Sequence, residues 1–228
     1  MSNEPDKMEK RHLHSGDQDP ERLAPTTRPW RVVKPVFDAV IAAIALLVLS
    51  PVLLLIAVAI KIDSPGPVLF RQPRYGQNGR PIMVSKFRTM KVDQADMGGK
   101  TQTRQNDPRV TGLGRFLRST CLDELPQLWD VLRGRLSLVG PRPHPIDMEI
   151  EGQRADRVIE GYHMRHSVKP GITGLAQMKG NRGPVTSLAM GRERILYDVR
   201  YAREMSMMLD IKLLLQTLTV PFKRGLSY

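Results

Sequence analysis

At 228 residues and 25.8 kDa the chain is long enough for one domain with a real core and too short for two comfortable ones. Its 35 Lys and Arg against 23 Asp and Glu leave a net charge of +12, which points to phosphate-bearing partners: nucleic acid, anionic lipid or a nucleotide substrate. The single cysteine, Cys121, excludes an internal disulfide and a multi-cysteine zinc site, and an aromatic content of 5% argues against a base-stacking platform, so no nucleic-acid partner is expected.

Residues 1–29 are polar, with scattered apolar residues in no helical or strand rhythm, and read as a disordered tail in which His12 and His14 face solvent. From Val36 to Ile62 the chain is apolar apart from Asp38, Ser50 and Lys61, a length that matches a membrane helix and is too long and too far into the chain for a secretory signal. Pro51 lacks an N–H and its ring opposes the Leu47 carbonyl, so a kink is predicted there, with Ser50 available to satisfy a freed backbone group. The arms on either side are about 22 Å and about 16 Å long at the helical rise, and neither crosses a hydrocarbon core of about 30 Å. Arg28, Arg31 and Lys34 precede the segment and Lys61, Arg71 and Arg74 follow it, so both ends read as cytoplasmic. A re-entrant hairpin is the expectation, with a kinked single-pass helix as the alternative.

Beyond it, the strand-like pieces in Val68 to Met90, separated by the turn-rich stretch from Tyr75 to Pro81, predict a β-hairpin. Residues 91–110 read as a loop. Leu113 to Leu117, Leu125 to Leu132 and Glu149 to Tyr162 read as helices, and Arg194 to Leu218 as one final long helix whose apolar surface suits either a membrane interface or the core.

The adjacent Asp123 and Glu124 open an apolar helical pattern. One reading is structural, with Thr120 as the N-cap of a capping box completed by Asp123. The other is chemical, since a carboxylate can attack phosphorus while its neighbour holds a hard cation. Arg109, Arg115, Arg118, Arg133, Arg135 and Arg142 accumulate around the pair and suit a diphosphate, or else a solvated basic face. Gly140-Pro-Arg-Pro143 would hold Arg142 on a rigid turn.

Six stretches occur in one order: Lys-Phe-Arg-Thr-Met (86–90), Asn-Asp-Pro-Arg-Val-Thr (106–111), Gly-Arg-Phe-Leu-Arg (114–118), Leu-Asp-Glu-Leu-Pro-Gln-Leu-Trp-Asp-Val-Leu (122–132), Ser-Leu-Val-Gly-Pro-Arg-Pro (137–143) and Lys-Pro-Gly-Ile-Thr-Gly-Leu-Ala-Gln (169–177). In them the chain resembles the bacterial monotopic phosphoglycosyltransferases, the initiating sugar-phosphate transferases, from about Lys34 to Lys212. The resemblance implies an α+β, mostly helical monotopic membrane protein: a re-entrant helix-break-helix hairpin broken at Ser50-Pro51, a small β-hairpin and interfacial amphipathic helices. The polar tail (1–29) is not part of the shared core; beyond it the resemblance implies the re-entrant helix (30–62) and a cytoplasmic catalytic domain (63–228). Asp123 is then the nucleophile and Glu124 a Mg²⁺ ligand, with Arg118, Arg142, Lys86, Arg88 and Asp198 on the substrate side. Residues 178–194 match nothing assignable, which leaves the choice of sugar open.

The expected reaction moves a hexose-1-phosphate from a UDP-sugar, glucose or galactose by preference, to polyprenyl (undecaprenyl) phosphate. It takes place at the cytoplasmic face of the bacterial inner membrane, among anionic lipids. The products are polyprenyl-diphospho-sugar and UMP, by way of an aspartyl-phosphosugar intermediate, as a first step of exopolysaccharide or other surface glycan assembly. A direct ternary-complex transfer is the competing enzymatic route. The non-enzymatic alternative is a membrane-anchored basic module binding anionic lipid or nucleic acid. A homodimer is allowed but not required by anything in the sequence.

Overall fold

The computed structural model describes residues 28–92 and 107–219, so the polar tail, the two tail histidines and most of the predicted 91–110 loop lie outside the described residues. The fold is mostly helical with three small two-stranded sheets. Helix α1 (Arg28–Asp63) is 36 residues long and keeps both Pro35 and Pro51 inside it. Ser50 Oγ donates to the Leu47 carbonyl at 2.8 Å, the carbonyl that the Pro51 ring deprives of its usual donor. The helix has a mean hydropathy of 3.0 over its most apolar window, of which only 11% is buried, unlike the core helix of a soluble fold. Such a helix associates the chain with a membrane.

One stripe of α1 nevertheless packs on the rest of the chain from end to end. At its start Trp30 Nε1 (3.1 Å) and Lys34 Nζ (2.6 Å) bond the fully buried Asp210 of α7 (Met207–Leu218). Midway, Ala42 is sealed in the main core with Val131, Leu138 and Tyr201. At its end Ile56 and Ile60 pack with Phe87 and Leu117. Arg88 closes that end, donating to the carbonyls of Ser64 (2.7 Å) and Pro65 (2.5 Å).

The predicted hairpin forms from β1 (Leu69–Tyr75) and β2 (Pro81–Phe87), antiparallel with Leu69 opposite Phe87. Helix α2 (Gly112–Ser119) is capped by Thr111, whose side chain accepts from the Gly114 N–H. A 3₁₀ turn (Leu122–Glu124) and α3 (Gln127–Leu132) follow, near the predicted span. The capping-box reading is corrected here: Thr120 ends α2, its hydroxyl bonding back to the Phe116 carbonyl at 2.9 Å, and Cys121 precedes the 3₁₀ turn in a left-handed conformation (φ 58°).

Strand β3 (Ser137–Val139) runs parallel to β6 (Gly171–Thr173), joining two of the sequence motifs edge to edge. A Cβ on Gly171 would collide with the backbone of Val139 and Gly140, so this contact requires glycine. The helix predicted over Glu149 to Tyr162 is overturned. Glu151 (φ 52°) and Gly152 (φ 76°) supply the two positive φ values of a tight hairpin turn between β4 (Glu149–Ile150) and β5 (Gln153–Arg154). Only α4 (Ala155–Val158) is helical in that stretch before a 3₁₀ segment, Tyr162–Ser167.

After the one-turn α5 (Leu175–Met178), the predicted final helix divides into α6 (Leu188–Glu204) and α7. The break falls where the Ser206 side chain accepts from the Leu209 N–H and caps α7. The core expectation holds for one face of α7, where Asp210 and Leu213 are buried, while Met207, Met208, Leu215 and Leu218 are exposed on the other.

Gly171→Ala should cost about 1–3 kcal/mol through overpacking, read as a lowered melting temperature of the detergent-solubilised protein. Gly152→Ala meets no neighbouring atom and loses only its relaxed positive φ, so the smaller loss is expected there.

Candidate active site

The 3₁₀ turn sets Asp123 and Glu124 side by side at the edge of the hairpin, and Lys86 of β2 reaches both. Its Nζ lies 2.7 Å from Glu124 Oε1 and 3.7 Å from Asp123 Oδ2. Arg142 forks the other carboxylate from the opposite side, with Nη1 3.2 Å from Glu124 Oε2 and Nη2 bonded to Oε1. Arg118, at the end of α2, is anchored through Nε to Thr89 Oγ1 at 2.8 Å, close enough for the Asp123 charge to act on it.

The two carboxylates are therefore unlike. Burial alone would raise the Glu124 carboxyl, but Arg142 and then Lys86 overcome it and hold the group well below the ordinary carboxylate range. Asp123 is 7% exposed, and burial with the Glu124 charge pushes its carboxyl up, only partly opposed by Lys86, Arg118 and Arg142. One group is a fixed anion in a cationic clamp. Its neighbour is a desolvated carboxylate with no hydrogen bond among the described residues, the state of a group with electron density to give. Cys121 is not activated: partial burial and both carboxylates raise its thiol.

The turn carrying Arg142 is held almost entirely through its carbonyls. Pro141, Pro143 and Pro145 have no N–H to give, and the oxygens of residues 141 to 144 accept in succession. Their donors are Gly171 N (2.9 Å), Arg165 Nη2 (2.5 Å), Arg74 Nη1 (2.8 Å) and Tyr75 N (3.0 Å). Arg165 is in turn clamped by Asp198, at 2.9 Å and 2.7 Å, both residues being about 1% exposed.

Of the residues expected on the substrate side, Lys86, Arg118 and Arg142 are brought to the pair. Two are corrected. Arg88 is buried and its guanidinium donates to the Ser64 and Pro65 carbonyls just past the end of α1. Asp198 lies inside α6, beneath the Arg142 turn, because a buried carboxylate there needs the Arg165 cation. Of the other arginines, Arg109 pairs with Asp107 at 2.6 Å, Arg135 with Asp130 at 3.4 Å, and Arg133 lies over the Trp129 ring. Arg74 and Arg165 were missed. The run of prolines at 141, 143 and 145 was the available signal, since a segment without donors must recruit them from elsewhere.

A domain with a long apolar helix and a cation-lined carboxylate pair has the charge arrangement of an enzyme that handles anionic groups. The chain belongs to the bacterial sugar transferase family, whose model matches residues 29–224. It is 47% identical over 197 residues to an exopolysaccharide production protein of Rhizobium leguminosarum bv. phaseoli, covering 86% of this chain and 98% of that one. It is 50% identical over 198 residues to the UDP-glucose:undecaprenyl-phosphate glucose-1-phosphate transferase of Escherichia coli (strain K12), covering 87% of this chain. With the undecaprenyl-phosphate glucose phosphotransferase of Komagataeibacter xylinus the identity is 48% over 185 residues and 81% of this chain. The chain spans only 42% and 35% of those last two proteins.

Replacing Arg165 by Met should leave Asp198 buried and unpaired at a cost of about 3–5 kcal/mol, whereas Arg165→Met with Asp198→Leu should recover much of that loss. Thermal unfolding that ranks the double variant at or below the single one would contradict this account of the support.

Proposed function

We propose that this protein is a phosphoglycosyltransferase that moves a hexose-1-phosphate from a UDP-sugar to undecaprenyl phosphate, releasing UMP, as the first membrane step of exopolysaccharide assembly. The observation that carries the reading is the division between Glu124, fixed by Arg142 and Lys86, and Asp123, buried beside it without a hydrogen bond among the described residues and with Lys86 Nζ 3.7 Å away. Glucose is the favoured sugar, because relatives named for UDP-glucose reach 50% identity, while one named for N-acetylgalactosamine reaches 35%.

In this reading an Asp123 oxygen attacks the β-phosphorus of the UDP-sugar. The bond to the bridging oxygen breaks, and that oxygen leaves on UMP with its electron pair. Lys86, Arg118 and Arg142 face the phosphoryl oxygens and oppose the charge that builds on them. An oxygen of the lipid phosphate then attacks the same phosphorus, the aspartyl bond breaks, and Asp123 returns to its carboxylate. Mg²⁺ is the cofactor in this proposal. Two neighbouring carboxylates offer hard oxygen donors, and Glu124 keeps lone-pair capacity beyond the three bonds made by Lys86 and Arg142. Glu124 would hold the cation, with substrate oxygens completing its shell; when bound it supplies Lewis-acid stabilisation of the diphosphate.

The same proposal takes α1 as re-entrant and the chain as monotopic, at the cytoplasmic face of the inner membrane. Its support is the packing of both ends of a helix about 54 Å long on one folded body. A straight crossing would separate those ends by the full bilayer. Basic residues at both ends agree with that placement. Anionic lipids around the helix complete the picture.

Detergent-purified protein should release UMP from UDP-glucose only when undecaprenyl phosphate and Mg²⁺ are both supplied. No release from any of a panel of UDP-sugars would overturn the reading. Asp123→Asn should lower turnover by at least about 10³-fold with the melting temperature kept, and Glu124→Gln should shift the Mg²⁺ titration to higher concentration. Because Asp123 must be ionised to attack and burial raises its carboxyl, activity should rise with pH along a limb lying above the ordinary carboxylate value of about 4. Lys86→Met removes a cation that opposes the rise and should move that limb further upward in a pH–rate profile. For topology, Pro20→Cys in a Cys121→Ser background should resist an impermeant thiol reagent added outside the cell, and labelling would sink the hairpin.

A further inference from the structure

A cavity of about 250 Å³ opens at the end of α3 away from the Asp123–Glu124 turn, between the first turns of α1, the β1–β2 turn, the α3–β3 connection and the residues before β6. Four charged side chains line it: Arg31, Lys34, Asp38 and Lys169. Lys34 is already committed to Asp210 at 2.6 Å and Asp38 at 3.3 Å, and Ser137 Oγ bonds the second Asp38 oxygen at 2.6 Å. Arg31 and Lys169 have no ion pair or hydrogen bond among the described residues. Lys169 opens the Lys-Pro-Gly-Ile-Thr-Gly motif, and the proposed reaction gives it no task. Two uncompensated cations thus face a space far larger than a water molecule occupies. The remaining wall is mainly apolar, Val131 and Leu136 included. Next in sequence to the lining residues Arg31 and Pro35, α1 exposes Val32 (77%) and Val36 (65%), part of the apolar surface that the proposed membrane placement turns to lipid.

We infer that this cavity binds the headgroup phosphate of an anionic phospholipid, with Arg31 and Lys169 on the phosphate and the acyl chains along the exposed face of α1. A soluble anion would use the cations but not the apolar wall, whereas a phosphodiester lipid uses both. Such a site fixes the depth of the start of α1 at the membrane surface, independently of the anchor at Asp210. The inference rests on α1 lying in the bilayer, but not on the chemistry of Asp123.

The test is thermal unfolding of the full chain in neutral detergent with short-chain phosphatidylglycerol, short-chain phosphatidylcholine or inorganic phosphate added. Phosphatidylglycerol should raise the wild-type melting temperature saturably, and the other two should not. Arg31→Gln with Lys169→Gln should need about fivefold more phosphatidylglycerol per cation removed, and Lys169→Arg should respond as the wild type. An equal response in the double variant, equal protection by phosphatidylcholine, or a shift reproduced by inorganic phosphate would each overturn the lipid assignment. UMP release measured on the same preparations separates this outcome from failure of the proposed reaction: the double variant should still release UMP, since neither residue touches the carboxylate pair.

Discussion

A buried carboxylate decides how the apolar helix meets the rest of the molecule. Asp210 is fully enclosed and receives Lys34, Trp30 and Tyr201, the last through its hydroxyl at 2.7 Å. A charge in that position is costly unless paired and hydrogen-bonded, so the start of α1 and α7 must come together wherever else the chain goes. The Tyr201 hydroxyl also lies 2.9 Å from the Val139 carbonyl oxygen, so its single proton is shared between the two acceptors and the same cluster reaches β3, the strand that leads into the Arg142 turn. The membrane element and the candidate active site are thereby parts of one packed unit. A helix with an outward face as apolar as lipid has no hydrophobic reason to choose a docking partner, and the polar cluster at its start supplies the choice.

The site is built on a related economy of donors. Three prolines within five residues deny the segment 141–145 most of its own N–H groups, and Gly171, Arg165 and the adjacent Arg74 and Tyr75 come from three separate parts of the chain to satisfy its carbonyls. Each donor is itself fixed: Gly171 by the parallel pair, Tyr75 by the hairpin, Arg165 by Asp198. The Arg142 guanidinium is therefore pre-set before any substrate arrives, which lowers the cost of organising charge around a transferring phosphoryl group.

Much of this was legible in the chain because local chemistry and tertiary context agree. The hairpin pattern in 69–87 and the Ser50 hydroxyl beneath Pro51 act over a few residues. Where they disagree the sequence misleads. Arg88 sits two residues from Lys86 in one motif, yet the strand ends at Phe87 and the guanidinium turns to the open end of a helix more than twenty residues earlier. The carboxylate of Asp198 has the residue type of a site ligand, and only the fold reveals that its cation is Arg165. Glu149 to Tyr162 carries enough apolar residues for a helix, but Glu-Gly at 151–152 forms a tight turn, a two-residue signal that the broader pattern obscures.

The adjacency of Asp123 and Glu124 is best understood through the turn that bears them. In a 3₁₀ turn successive side chains diverge by about 120°, slightly more than on an α-helix, so neighbours face different surroundings. Glu124 is directed between Arg142 and Lys86, while Asp123 has Lys86 at the edge of contact and is otherwise desolvated. Glu124 raises the proton affinity of Asp123 by its charge, and the clamp that keeps Glu124 ionised makes that repulsion permanent. Two adjacent carboxylates in one environment would share a proton and act alike. Here the left-handed Cys121 aims the turn into an asymmetric set of cations, and the same functional group acquires two proton affinities one residue apart.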